Sequence, residues 1–242
     1  MNIVEPAVQL LAHTAIVPDA IEQRMEIQEG STDAETLTVY AGRSCYESWS
    51  RPNEKTREDK DYLRRTLFEQ KHFSILEHAS ATFYLTGVSR ALLAEITRHR
   101  HLSFSVMSQR FVDESDANIV IPPAVRKSES VVVYEYEEFR DDLDGGLAEA
   151  LEWWGRDAVW NYETIVSALT AEGLPRKQAR EAARAVLPNM IETRIVVTGN
   201  LRAWHEVIER RTAPDADAEF QEVAGMIRQE LQRLAPEVFP AP

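Results

Sequence analysis

The sequence predicts a single α+β domain dominated by helices. Three observations carry that expectation. Apolar residues recur at helical spacing over most of the chain, whereas only a few short stretches, dispersed between those runs, have strand character. No internal repeat and no low-complexity tract divides residues 1–242, so they are expected to form one domain. A chain of 242 residues also has enough length to bury a substantial core as one unit.

Taken in order, Ala7 to His13 fits a strand and a helix equally. Thr32 to Tyr46 has a helical pattern. Thr56 to Gln70 reads as a polar helix with Tyr62, Leu63 and Leu67 as its apolar stripe. Ala81 to Thr86 alternates and is rich in β-formers, which predicts a strand. Ser89 then opens a helix with Leu92, Leu93 and Ile96 on one face, running into Arg98 to Arg100. Pro122-Pro123 makes Ile119 to Arg126 a loop, and Val131 to Tyr134 fits a short strand in an acidic stretch. Leu147 to Leu169 is a long helix, with Leu151, Trp154, Ala158, Ile165 and Leu169 expected to be buried. Gly173-Leu174-Pro175 breaks it, and Pro175 starts another helix that stops at Leu187-Pro188. Arg194 to Thr198 is a strand, Asn200 opens a further helix, and Ala218 to Leu234 is a last amphipathic one.

Composition narrows the function classes. Asp plus Glu outnumber Lys plus Arg by 40 to 27, for a net charge of -13, which opposes general nucleic-acid binding. No apolar run approaches the roughly 18 residues that predict a membrane-spanning helix, and Met1 to Pro6 carries no basic segment ahead of an apolar one. One cysteine, Cys45, excludes an internal disulfide and reads as a small buried packing residue. The expectation is a cytoplasmic protein.

Against that acidic background, Thr97 to Arg110 concentrates three arginines, two histidines and three serines. Arginine's planar fork suits phosphate and carboxylate, and hydroxyls donate to the same oxygens. Read alone, Arg98-His99-Arg100 fits a solvated helix end as well as a binding site, since cations offset the C-terminal dipole. Adjacent residues on a helix also point about 100° apart, so the three share a ligand only if the helix ends there.

The order Arg98-His99-Arg100, seven residues, then Ser108 resembles the signature of the flavin-dependent thymidylate synthases. Three further blocks are similar to that family in the same order: His72-Phe73-Ser74 with Glu77-His78, Ala183-Arg184 with Leu187-Pro188, and Asn200-Leu201-Arg202 followed by Arg211. The resemblance covers roughly residues 40 to 220 and implies a mostly helical domain with a small mixed or antiparallel sheet. It implies reductive methylation of dUMP to dTMP, with methylenetetrahydrofolate as carbon donor, NADPH-reduced FAD as hydride source and tetrahydrofolate as product. It further implies a homotetramer with shared active sites. Matched residue by residue, Glu95, Arg98, Ser108, Gln109, Arg110, Arg184 and Arg211 fall on dUMP, with Arg211 stabilising the ionised uracil. His72, Ser74, Arg98, His99, Arg100, Val106, Asn200, Leu201, Arg202, His205 and Glu206 fall on FAD.

Two positions depart from the family. Val106 stands where Glu or Gln is usual, and Glu206 stands where Asn or His is usual, with His205 beside it. An acidic Glu206 near a diphosphate is unfavourable, so either its side chain turns away or His205 substitutes. Two rival classes remain weaker. A nucleotide- or RNA-binding module lacks an aromatic stacking platform beside the cluster, and a histidine-metal enzyme lacks any His-x-x-x-His pair, so no metal is expected. Nothing around Cys45 resembles the nucleophile loop of the cysteine-dependent synthases.

Overall fold

A computed structural model describes residues 1–130 and 146–241. The stretch Val131 to Tyr134 lies outside the described residues. The frame is one antiparallel four-stranded sheet in the order β1-β2-β4-β3, built from β1 (Ala7–His13), β2 (Ser80–Ser89), β3 (Leu102–Val106) and β4 (Glu192–Asn200). Period-2 alternation puts Ala81, Phe83 and Leu85 on the same buried face as Ile195 and Val197. Against that face lie α8 (Leu201–Arg211) and α9 (Ala218–Leu234), both within the main hydrophobic core. Trp204 of α8 is wholly buried there, meets the Phe83 ring edge-on at 5.1 Å, and donates from Nε1 to the Ala81 carbonyl at 3.1 Å.

The other α-helices among the described residues are α1 (Pro18–Glu22), α2 (Asp33–Ser44), α3 (Asp59–Leu63), α4 (Arg90–Ile96), α5 (Pro123–Arg126), α6 (Leu147–Ala171) and α7 (Arg176–Ala183). Their starts follow local capping chemistry. Thr32 and Glu35 form a reciprocal capping box on α2, Ser89 Oγ accepts from Leu92 N on α4, and Asn200 Oδ1 accepts from Ala203 N on α8. The strand at Arg194 to Thr198 and the last helix fall where the sequence puts them. Ala7 to His13 is a strand. Among the described residues no helix is long and apolar enough to cross a membrane.

Five expectations are corrected. Thr56 to Gln70 is not one helix: α3 gives way to a π-helical turn over Arg64–Glu69, closed by Gln70 N donating to Arg65 O, and Lys71 follows at φ +56°. Ile119 to Arg126 is not plain loop. Ile119 bridges Ile3 and Ile191, and Pro123, with its preset φ, opens α5. On α6 the buried positions are Ala150, Gly155, Val159 and Tyr162; of the expected residues Leu151, Ala158, Ile165 and Leu169 are half-buried and Trp154 is exposed. The docking face is rotated by about one residue because Gly155 brings the helix backbone against Ile119 and Met190, a contact that apolarity does not reveal. The α7 segment leaves the α-helix at Ala183 and finishes in a 3-10 turn, Arg184–Val186. Cys45 is exposed, not buried: it caps the C-terminal end of α2 at the wall of an open cavity.

Gly87 lies at a register shift of β2, between Leu85 and Val88, with φ +63°. A Cβ there would overlap the Glu5 carbonyl oxygen, so both backbone conformation and space demand glycine. Gly87→Ala is expected to destabilise the fold by about 2 kcal/mol or more, read as a lower urea midpoint at unchanged m-value.

Candidate active site

The sheet register determines where the cationic residues go. β2 and β4 are antiparallel, with Ser89 opposite Glu192 and Ser80 opposite Asn200. Helix α4 therefore leaves at one end of the central pair and α8 at the other. Their C-terminal ends meet, as the contacts between Arg211, Glu95 and His99 show. α4 stops at Ile96, so Arg98 to His101 sit in a turn and not on a helix. The chain then enters β3, a strand the sequence reading missed, with Leu102 opposite Gly199. Arg98 to His101 are thereby laid along the flank of α8. Together with Ala203, Glu206, Arg210 and Arg211 they line a cleft of about 260 Å³.

At the cleft's inner end Arg211 is held on three sides. Its Nη1 donates to Glu95 Oε2 at 3.0 Å, its Nε donates to His99 Nε2 at 3.0 Å, and its guanidinium stacks 4.8 Å from the Phe220 ring centre. Glu95 also accepts from Arg98 Nη1 at 3.2 Å, so one carboxylate orients two arginines that are far apart in sequence. His99 must be neutral at Nε2 to accept this bond. Burial, reinforced by the Arg211, Arg210 and Arg98 charges and only partly opposed by Glu206, lowers its proton affinity accordingly. Phe220, on α9, was not predicted, and no motif points to it.

A second cavity of about 450 Å³ lies at the N-terminal end of α8. His72, Ser74 and Arg202 line it, joined by Cys45, Tyr46 and Tyr62, which the sequence reading did not assign. Arg202 is ion-paired with Glu77, so the second and fourth motif blocks meet here. The Asn200 side chain is engaged in capping. Leu201 is wholly buried and offers no side chain to a ligand. His205 is on the other side of α8, stacked between Phe73 and Phe239, and does not line the cleft. Glu206 does line it, paired with Arg210 at 2.8 Å.

Ser108, Arg110 and Arg184 are placed elsewhere. Val106 pairs with Ile195 near the start of β4, and Ser108 follows at once, while Arg184 precedes the same strand. Five residues of β3, about 17 Å, separate this group from Arg100. Arg110 Nε is paired with Glu181 of α7 at 2.7 Å. The turn that carries Ser108 is clamped from α7, where Arg180 donates to the Phe111 carbonyl at 2.7 Å and pairs with Asp113. Gln109 is buried, facing Glu114, whose carboxyl is pushed up by burial against the pull of Arg90. Among the described residues no group of three His, Cys, Asp or Glu side chains is placed to hold a metal.

Fold and site together define an α+β domain whose arginine-lined clefts suit phosphate-bearing ligands. The profile of the family described as Thymidylate synthase complementing protein matches residues 27–237, and the chain belongs to that family. A probable flavin-dependent thymidylate synthase of Mycobacterium phage L5 is 49% identical over 210 residues, 87% of this chain and 81% of the relative. The flavin-dependent thymidylate synthase of Mycobacteroides abscessus is 44% identical over 243 residues, 98% of this chain and 90% of that one. The fold is shared with the crystal structure of thymidylate synthase X from Helicobacter pylori with FAD and dUMP, at a TM-score of 0.64 and 20% identity, covering 98% of this chain and all of that one.

The lowered proton affinity of His99 carries a pH dependence. The unfolded chain takes up a proton near pH 6.5 and the folded one only at lower pH, so stability is complete above that value and falls as pH drops below it. His205, lowered chiefly by burial, acts with the same sign. Urea unfolding at pH 7.5 and 5.5 should show this loss, and His99→Gln should reduce it without abolishing it.

Proposed function

We propose that the chain is a flavin-dependent thymidylate synthase, converting dUMP, methylenetetrahydrofolate, NADPH and a proton to dTMP, tetrahydrofolate and NADP⁺. The observation that carries this reading is the joining of Arg211 to His99 and Glu95 at the cleft, residues 112 and 116 positions away in sequence. A structural helix cap needs no such convergence. FAD, when reduced by NADPH, supplies the hydride that completes the methyl group. The donor set fits that cofactor. Arg98 and Arg100 offer forks to its diphosphate from the cleft, and at the other cavity Arg202 offers a third fork beside the smaller polar groups of Ser74 and His72.

In this reading Arg211 holds a fixed positive charge against the uracil as its ring becomes anionic, and Glu95 and His99 aim the guanidinium. Arg98, Ser108, Arg110 and Arg184 hold the rest of dUMP. Within one chain these residues fall into two groups on either side of β3. That separation supports active sites completed by neighbouring copies in a homotetramer, and exposed Phe111 and Trp160 near α7 and on α6 provide apolar surface for such contacts. Cys45 lines the second cavity with its thiol directed to the Ala41 carbonyl at 3.4 Å, and has no part in the chemistry.

With all substrates and FAD present, the folate product should be tetrahydrofolate, and Cys45→Ala should keep most of the turnover. Dihydrofolate as product would exclude the mechanism. Arg211→Ala should lower dTMP formation at least a hundredfold, about 2.7 kcal/mol, while FAD occupancy, read from visible absorbance, changes little. Arg211→Lys should recover only part, since a point charge does not reproduce the fork. Light scattering should report a tetramer, and a fully active monomer would overturn the shared site.

A further inference from the structure

The face of α8 turned away from the arginine-lined cleft closes a cavity of about 390 Å³ that the proposed chemistry does not use. Its walls are largely apolar, with four aromatic rings among them. The His205 ring lies between Phe73 and Phe239, at centroid distances of 4.8 and 6.3 Å, and Phe68 stands at the rim, 41% exposed. Two cations, Lys71 and Arg228, border it against one carboxylate, Glu209. His205 is kept neutral by burial, so the lining carries one net positive charge in a chain of -13. Volume, apolar walls and a few polar groups at the mouth are the requirements of a small-molecule site.

One of the two cations is anchored by a hydrogen bond. Arg228 Nη2 donates to the Pro240 carbonyl at 3.1 Å, which fixes the guanidinium at the mouth and leaves its other donors available. Lys71 follows the π-helical turn in a left-handed conformation, φ +56°, a strained backbone that persists only where its surroundings impose it. Phe73 and Lys71 also wall the cavity containing His72 and Ser74, so the two spaces are separated by one short segment.

We propose that this cavity binds a planar aromatic monocarboxylate of about two fused rings. The rings pack against Phe73, His205 and Phe239, and the carboxylate meets Arg228 and Lys71. None of the side chains proposed to hold dUMP or FAD lines this cavity, although Lys71 and Phe73 wall both it and the space of His72 and Ser74. It therefore stands or falls independently of the thymidylate synthase reading.

Isothermal titration of the full chain with 2-naphthoate tests the proposal. One saturable site per chain is expected, with 2-naphthamide, the neutral isostere, binding at least tenfold more weakly. Arg228→Gln should weaken 2-naphthoate at least fivefold at unchanged melting temperature, and Arg228→Lys should restore most of the loss. Phe68→Ala, at the exposed rim, should weaken acid and amide alike, and it decides the matter if Arg228→Gln fails to fold. Saturating FAD and dUMP should leave the site open. Absence of saturable binding, equal affinity for acid and amide, indifference to both Arg228→Gln and Phe68→Ala, or complete displacement by FAD would each overturn the proposal.

Discussion

The pairing of β4 between β2 and β3 is the constraint from which the rest of the site follows. Because β2 and β4 are antiparallel, the helices that leave them start at opposite ends of the sheet and run toward each other. Seven residues of α4 and eleven of α8 span about 10 and 16 Å, close to the length of the strand pair they cover. Their C-terminal ends therefore converge, and with them two sets of unsatisfied carbonyls and two negative dipole ends. Cations at that junction are favoured before any ligand is considered. The return of the chain into β3 at Leu102 then stretches Arg98 to His101 along α8. A one-residue slip of β3 would turn Leu102 outward and move the whole cationic turn relative to Arg211.

Most arginines of both groups are already paired with carboxylates of the same chain. Glu95 engages Arg98 and Arg211, Glu77 engages Arg202, Glu206 engages Arg210, and Glu181 engages Arg110. Most of these pairs are exposed, and exchange of such a carboxylate for a ligand oxygen costs little, because exposed ion pairs contribute about 0–1 kcal/mol. Arg211 differs. Its side chain is only 17% exposed, it stacks on Phe220, and its Nε is committed to a neutral His99. It is oriented before any ligand arrives, which suits a group that must meet charge developing on a ring more than one that must catch a phosphate. The exposed pairs suit capture.

The sequence revealed the blocks but not their distances. Caps and strand alternation were readable because they are local: Ser89, Asn200 and the Phe83 stripe each declare themselves within a few residues. β3 was not, because Leu102 to Val106 contains two serines and sits inside a polar motif, and its strand character comes from β4 alone. The face of α6 was misjudged because tryptophan outweighs glycine in any apolar count, whereas close approach at Gly155 decides the packing. For the site, the motif order singled out Arg211 and His99 separately, and their hydrogen bond is visible only in the structure. It gave no sign of Phe220, of the separation of Ser108, Arg110 and Arg184 from the cleft, or of His205 facing the opposite side, since each depends on helix phase and tertiary register.

The two departures from the family's pattern now have physical answers. Val106 is a ladder residue of β3 opposite Ile195, so a change of side chain there leaves its backbone conformation set by the sheet. Glu206 remains in the cleft, one helical turn before Arg210, and is neutralised by it. Four arginines line the cleft against this one carboxylate, and adding Glu95 behind Arg211 still leaves a positive excess of two. The rest of the chain is strongly acidic, but at physiological ionic strength exposed charges are screened beyond about 8 Å. A ligand phosphate inside the cleft therefore experiences the arginines at contact and little of the distant acidic surface. Local clustering, with Glu95 orienting the cations, is how a protein of net charge -13 can present an anion site without a basic surface.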